Sequence, residues 1–210
     1  MIKRLIAARR LTSGAGVVAL AAVVLLGGCA TSNLPPAPKQ AASSDYKYVI
    51  GPLDTVNIIV WRNPELTTAV PVRPDGRITT PLAEDIQAIG RSPSDLARAI
   101  EKSLANYVRD PAVTVVVTGF QGPYNQQVRV IGEAAKPAAL PYRTGMTLLD
   151  AMIQVGGLTD FANGNGAVLA RPGEGKQYSV RLRDLIGRGN IDANVELLPG
   201  DVIIIPQSWF

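Results

Sequence analysis

Two short alternations, Val56, Ile58, Val60 and Val113, Val115, Val117, stand on either side of a capped helical segment, and this sets narrow limits on the fold. Apolar residues at every second position give a strand one buried face, so each run reads as a half-covered strand. Between them, Ser92-Pro93-Ser94-Asp95 has the form of a capping box with proline at the first helical position. Leu96, Ile100, Leu104, Tyr107 and Val108 then fall on one helical face. Asp110-Pro111 is expected to stop that helix, because the residue before a proline is pushed out of helical space. Pro74-Asp75-Gly76-Arg77, lying between Val70-Pro71-Val72 and Ile78-Thr79-Thr80, reads as a tight hairpin. Residues 46–119 therefore read as one small α+β unit, a mixed sheet with one long helix.

From Gln127 a second pattern begins. Val128, Val130 and Gly132 make a short strand, and 134–140, with its prolines, an extended edge segment. Thr147 and Asp150 form another capping box on a helix over 148–155, which Gly156-Gly157 ends. A hairpin is expected at Val168-Leu169-Ala170-Arg171, Pro172-Gly173-Glu174-Gly175 and 178–182. The turn Leu198-Pro199-Gly200-Asp201 feeds Val202-Ile203-Ile204-Ile205, a run without polar alternation that reads as a strand covered on both faces. Pro199-Gly200-Asp201-Val202 echoes Gly51-Pro52-Leu53-Asp54-Thr55-Val56. In both, the carboxylate reads as a partner for backbone amides at a turn before a strand, a folding device and not a catalytic group.

Several of these pieces resemble the polysaccharide biosynthesis/export family of Gram-negative cells. The resemblance rests on residues 48–54, Val60-Trp61, Val72 to Ile78 with Pro74-Asp75-Gly76 at its centre, and Tyr107-Val108-Arg109-Asp110-Pro111. Val130-Ile131-Gly132-Glu133, 144–151, Gly156-Gly157-Leu158-Thr159 and Leu198-Pro199-Gly200-Asp201-Val202 extend it to the soluble-ligand-binding β-grasp domain that follows in that family. What the resemblance implies is an export domain over 46–119, a β-grasp domain over 120–206 and an aromatic tail at 207–210. It also implies a polysaccharide cargo, a homo-oligomeric ring, commonly octameric, and an inner-membrane co-polymerase as partner. Full-length members close with a C-terminal amphipathic pore helix. After Pro206 only Gln207-Ser208-Trp209-Phe210 remain, so the chain is similar to the short members, and lipid headgroups, a neighbouring subunit and a separate outer-membrane β-barrel all stand open as what the aromatic tail meets. Residues 112–119 and 127–132 are expected to be edge strands available for ring contacts. The motif positions Gly51, Pro52, Asp54, Trp61, Pro74, Asp75, Gly76, Asp110, Pro111, Gly132, Gly156, Gly157, Pro199, Gly200 and Asp201 are read as structural.

Net charge is +4, but Lys3, Arg4, Arg9 and Arg10 precede residue 29 and no acidic residue does. The remaining 17 basic side chains match the 17 acidic ones, so the basic balance belongs to a targeting signal and no nucleic-acid partner is expected. An apolar run of about a dozen residues, too short for the ~20 that cross a bilayer, makes 1–28 a secretory signal. Leu26-Gly27-Gly28-Cys29 looks like a bacterial lipobox, which would acylate Cys29. Several acyl chains make a stable anchor. Ala30, in place of an aspartate retention signal, points to the periplasmic face of the outer membrane. Residues 29–45, rich in proline, alanine and serine, read as a lipidated flexible tether.

The chain has no histidine and one cysteine. That removes Ser-His-Asp and Cys-His nucleophilic sites, His/Cys metal sites and thiol-pair redox work. No cofactor, metal or catalytic residue is expected. Glu84-Asp85, the tempting carboxylate pair for a glycan hydrolase, reads as a solvated turn. Aromatic residues are 5% of the chain, which weighs against a tight glycan-binding cleft. The reading that follows is a non-enzymatic export component. The alternative is a lipid-anchored lipoprotein that binds a small ligand or regulates.

Overall fold

The computed structural model describes residues 34–40 and 46–209. The expected signal peptide over 1–28, Cys29 and Phe210 lie outside them. The described chain is mixed α+β, with two hydrophobic cores inside one compact unit.

The first core is organised by β1 (Thr55–Val60), the middle strand of a three-stranded sheet. It pairs antiparallel with β2 (Thr68–Pro71) on one side and β5 (Val113–Gly119) on the other. The register sets Val56, Ile58 and Val60 opposite Val117, Val115 and Val113. The two alternations thus become one cross-strand apolar face. Helix α1 (Pro93–Leu104) shares that core through Leu96, Ala97, Ile100 and Leu104. The leucine and isoleucine side chains among them are each worth about 1.5–3 kcal/mol on burial. The Ser92 hydroxyl accepts the Asp95 N–H at 3.1 Å and donates to the Asp95 carboxylate at 2.7 Å.

Three expectations change here. The Pro74-Asp75-Gly76 turn is present, closed by Gly76 N–H to Arg73 O at 2.8 Å and by Arg73 N–H to Arg77 O at 2.9 Å, but beyond that rung its arms form no ladder. The second arm, β3 (Arg77–Thr80), turns away to pair with β4 (Ala83–Gln87). Glu84 and Asp85 therefore stand exposed on a strand, where Asp85 pairs with Arg73 at 2.6 Å. Helix α1 ends at Leu104, ahead of Asp110-Pro111, and Tyr107 is exposed. Leu104 is the last α1 residue in the core; one turn on, Val108 still packs against that core in part, with its N–H donating to Leu104 O at 2.8 Å.

The second core lies against a five-stranded sheet ordered β7-β6-β10-β8-β9, formed by β6 (Val128–Gly132), β7 (Ala138–Leu140), β8 (Ala167–Arg171), β9 (Lys176–Val180) and β10 (Val202–Ile205). Its β6/β10 pair is parallel and every other pair antiparallel. Helix α2 (Leu148–Gln154) shares the core and carries a full Thr147/Asp150 capping box. A further helix, α3 (Leu182–Gly187), stands where the sequence suggests the end of a strand. In β10 only Ile203 and Ile205 are fully buried, while Val202 and Ile204 are half-buried, so one face is covered completely and the other in part. Strand β6 is flanked on both sides and is not an edge. Strand β5 is an edge, though its first residue is occupied: Val113 N–H donates to Glu101 at 2.8 Å and its carbonyl accepts from Arg98 at 3.3 Å.

Part of the expected tether is docked. Within 34–40, Pro36 bridges Ser179 of β9 in parallel, Ser179 N–H donates to Pro35 O at 2.8 Å, and Glu196 N–H donates to Lys39 O at 3.1 Å. Ala37 packs against the second core. Composition argues against a core of its own, but this stretch borrows one from β9.

Candidate functional site

The two strand-feeding turns meet at the seam between the cores, where they hold the segment 121–126 from either side. Asp54 is fully buried and accepts Gly51 N–H at 2.7 Å, Gln121 N–H at 2.7 Å and Gly122 N–H at 2.9 Å, besides the Tyr48 hydroxyl. A Cβ on Gly51 would overlap the carbonyl group of Gly122, so the approach needs glycine. On the other side, a Cβ on Gly200 would collide with the carbonyl oxygen of Asn125. Asp201 accepts Leu198 N–H at 2.8 Å, the same three-residue reach that Asp54 makes to Gly51. Its second partner is the buried Arg171, whose Nε lies at 3.2 Å and whose Nη2 donates to Glu196 O at 2.7 Å. Burial pushes the Asp201 carboxyl up from its ordinary value, against the opposite pull of Leu198 N–H and Arg171.

Beside the gripped segment lies a cavity of about 220 Å³ with Tyr46, Tyr48, Phe120 and Tyr142 in its walls. Tyr46 and Tyr142 meet edge to face at 4.8 Å between centroids, and Tyr48 and Phe120 do so at 5.5 Å. A second, more polar cavity of about 550 Å³ shares Tyr46 and Gln126 with the first and reaches Arg171, Glu174 and Asp201. Burial, above all, raises the Tyr46, Tyr48 and Tyr142 phenols, helped at Tyr48 by its bond to Asp54. All three stay protonated and able to donate. Gln126 lines both cavities, and its Oε1, closed off from solvent, is the one buried side-chain polar atom without a partner among the described residues.

Of the motif residues, Gly51, Pro52, Asp54, Pro199, Gly200 and Asp201 belong to the two turns at this seam. The others lie elsewhere. Trp61 is exposed just past the end of β1, Asp75 is in an exposed turn paired with Arg73, and Asp110 is exposed. Gly132 (φ +87°) lies where β6 meets Ile205 of β10, and Gly156-Gly157 follow α2. The sequence gives no sign that Tyr46, Phe120, Gln126, Tyr142 and Arg171 converge. Low aromatic content does not argue against an aromatic site, because four of the few aromatics gather at one place. The only local signal is the pair Tyr46 and Tyr48, two residues apart ahead of Gly51.

Comparison with known proteins divides the chain at the same place. Residues 42–118 match the family model for the polysaccharide biosynthesis/export protein, and 126–205 match the SLBB domain. The stretch left between the matches, 119–125, holds most of the segment that the two turns grip. The chain is 27% identical over 199 residues to the EPS I polysaccharide export outer membrane protein EpsA of Ralstonia nicotianae (strain ATCC BAA-1114 / GMI1000), covering 83% of this chain and 51% of that protein. To the protein of the same name from Ralstonia solanacearum it is 29% identical over 180 residues, covering 74% and 47%. The chain spans about half the length of the curated relatives it matches.

Proposed function

The chain belongs to the polysaccharide biosynthesis/export family, and from that premise we propose that it is a component of the machinery that moves exopolysaccharide out across the cell envelope. The observation that carries the reading is the tandem of two domain matches in one order over most of 42–205. In this reading 46–119 is the export domain and 120–206 the β-grasp domain. Cys29 carries the lipid that holds the protein at the periplasmic face of the outer membrane. Copies associate head to tail into a closed ring, which takes polymer from an inner-membrane co-polymerase and passes it to an outer-membrane exit. The protein conducts and does no bond-making of its own, in keeping with a chain that has no histidine and one cysteine. The edge strand β5, with Val116 exposed, supplies one surface for such association.

Deletion of the gene in the producing strain tests the reading. Secreted polymer should fall to background while polymer made inside the cell persists, and the Cys29→Ala variant should restore secretion poorly. A deletion strain that still coats itself normally would overturn the export role. Detergent-extracted, lipidated protein that stays monomeric at membrane-like density would remove the ring and leave the export role standing.

A further inference from the structure

Both carboxylate turns feed strands that run away from the seam. After Asp54, β1 leads to Trp61; after Asp201, β10 leads to Trp209. The chain has two tryptophans, and each marks an end away from the seam. The end beyond β10 is built from three pieces. The tail runs beside the loop ahead of β8, with Asn163 N–H donating to Pro206 O at 2.9 Å and Ser208 N–H to Phe161 O at 2.7 Å. Helix α3, which follows β9, is tied to that loop by Arg183 Nη2, which donates to Ala162 O at 2.6 Å. Three apolar side chains gathered here stand in solvent: Trp209 is 90% exposed, Phe161 67% and Ile186 40%. Beside them Arg181, Arg183 and Arg188 outnumber Asp184 and the exposed Asp160, so the ground is slightly positive. Tryptophan and phenylalanine rimmed by arginine suit the headgroup layer of a membrane.

The strip 34–40 decides whether a membrane is near. It meets β9 at Ser179, one residue short of the end of that strand, and runs parallel to it. Leu34 follows Cys29 by five residues, so a lipid on Cys29 is attached within ~18 Å of Leu34. From Leu34 to the end of β9 is about three residues of strand, ~10 Å, well inside that reach. The Trp61 end is outside it, since Trp61 stands about seven residues of extended chain, ~23 Å, beyond Asp54 at the seam.

We propose that this end of the second domain is a lipid-contacting surface, in which Trp209, Phe161 and Ile186 enter the headgroup layer of the membrane that holds Cys29, with the Trp61 end directed away from it. The inference rests on the lipid anchor of the export reading, and adds which face of the protein the membrane meets. Three apolar side chains are a weak attachment alone. Added to an acyl anchor, they set the angle at which the subunit stands.

The two tryptophans make the test direct. The full chain is extracted in detergent, its mass is measured to establish acylation at Cys29, and it is rebuilt into vesicles of phosphatidylethanolamine with a minority of phosphatidylglycerol, with plain or brominated acyl chains. Trp61→Phe leaves Trp209 as the reporter, and Trp209→Phe leaves Trp61. Bromine quenches an indole that lies against the chains, so Trp209 should lose about half its emission in brominated vesicles, as a ring at headgroup level does. Trp61 should be equally bright in both. Adding Phe161→Ser and Ile186→Ser to the Trp61→Phe chain should give back much of the Trp209 emission. Acylated protein whose Trp209 ignores bromine, or whose Trp61 is quenched as strongly, would overturn the surface and leave the anchor standing. Quenching unchanged by the two serine substitutions would also overturn it, because the acyl chain alone would then hold Trp209 at the lipid. A Trp209 emission that turns blue with protein concentration in detergent and is not quenched by lipid would assign the patch to a second copy instead. An unacylated Cys29 would overturn the anchor and this surface together.

Discussion

Asp54 takes four hydrogen bonds, three of them from backbone N–H groups, and two of those come from the gripped segment 121–126. Its role follows from what its removal leaves. Asp54→Ala strands buried donors, each costing about 1–3 kcal/mol, so a loss of about 3 kcal/mol or more is expected, read in thermal melts as a fall of roughly 6–12 °C for a chain of this size. Asp54→Asn, which keeps one acceptor, should lose less. Equal melting temperatures for parent and Asp54→Ala would show the network to be incidental. Asp184 in α3 makes a prediction of a different kind. It accepts from Asn165 at 3.0 Å and from Arg181 at 2.6 Å, and these hold its carboxyl below the ordinary value, the Asn165 bond first. A lowered folded pKa gives stability that is present above the ordinary carboxylate range and lost as pH falls through the folded value. Denaturant midpoints measured from about pH 5 downward should therefore drop less steeply in Asp184→Asn than in the parent.

Among the elements, the segment 34–40 departs furthest from what its composition suggests. Its order comes from β9, so it should show in exchange of the amides it engages. Ser179 N–H, bound to Pro35 O at 2.8 Å, should exchange slowly in the intact chain and fast once 34–40 is replaced by a Gly-Ser stretch of equal length. Fast exchange at Ser179 in the parent would mean the segment does not stay down. The same contrast shows what was legible beforehand. Strands β1 and β5 and the starts of α1 and α2 could be read because alternation and caps are written within a few neighbouring residues. The fate of β3, the docking of 34–40 and the exposure of β5 but not β6 at an edge depend on partners many residues away. No local pattern states them. Likewise Gly51-Pro52-Leu53-Asp54 and Pro199-Gly200-Asp201 are visible as turns, but their grip on 121–126 becomes visible only once both cores are built.

For the molecule as a whole, two cores joined by a free linker would unfold separately. Here the linker is bonded to Asp54 at one end and packed against Gly200 at the other. A single calorimetric transition is expected for the parent, and two resolved ones for Asp54→Ala, since that change cuts the bonds from Gln121 and Gly122. Two transitions in the parent would show the grip to be too weak to couple the halves.

The halves are also tied along two paths, by the Tyr46–Tyr142 ring contact and again through 121–126. A body pinned along two paths resists swivelling, as a door on two hinges resists sagging. Neighbouring copies packed side by side would each bring the same built-in angle, so the curvature of such an assembly would be written into every subunit and would not be left to an adjustable joint.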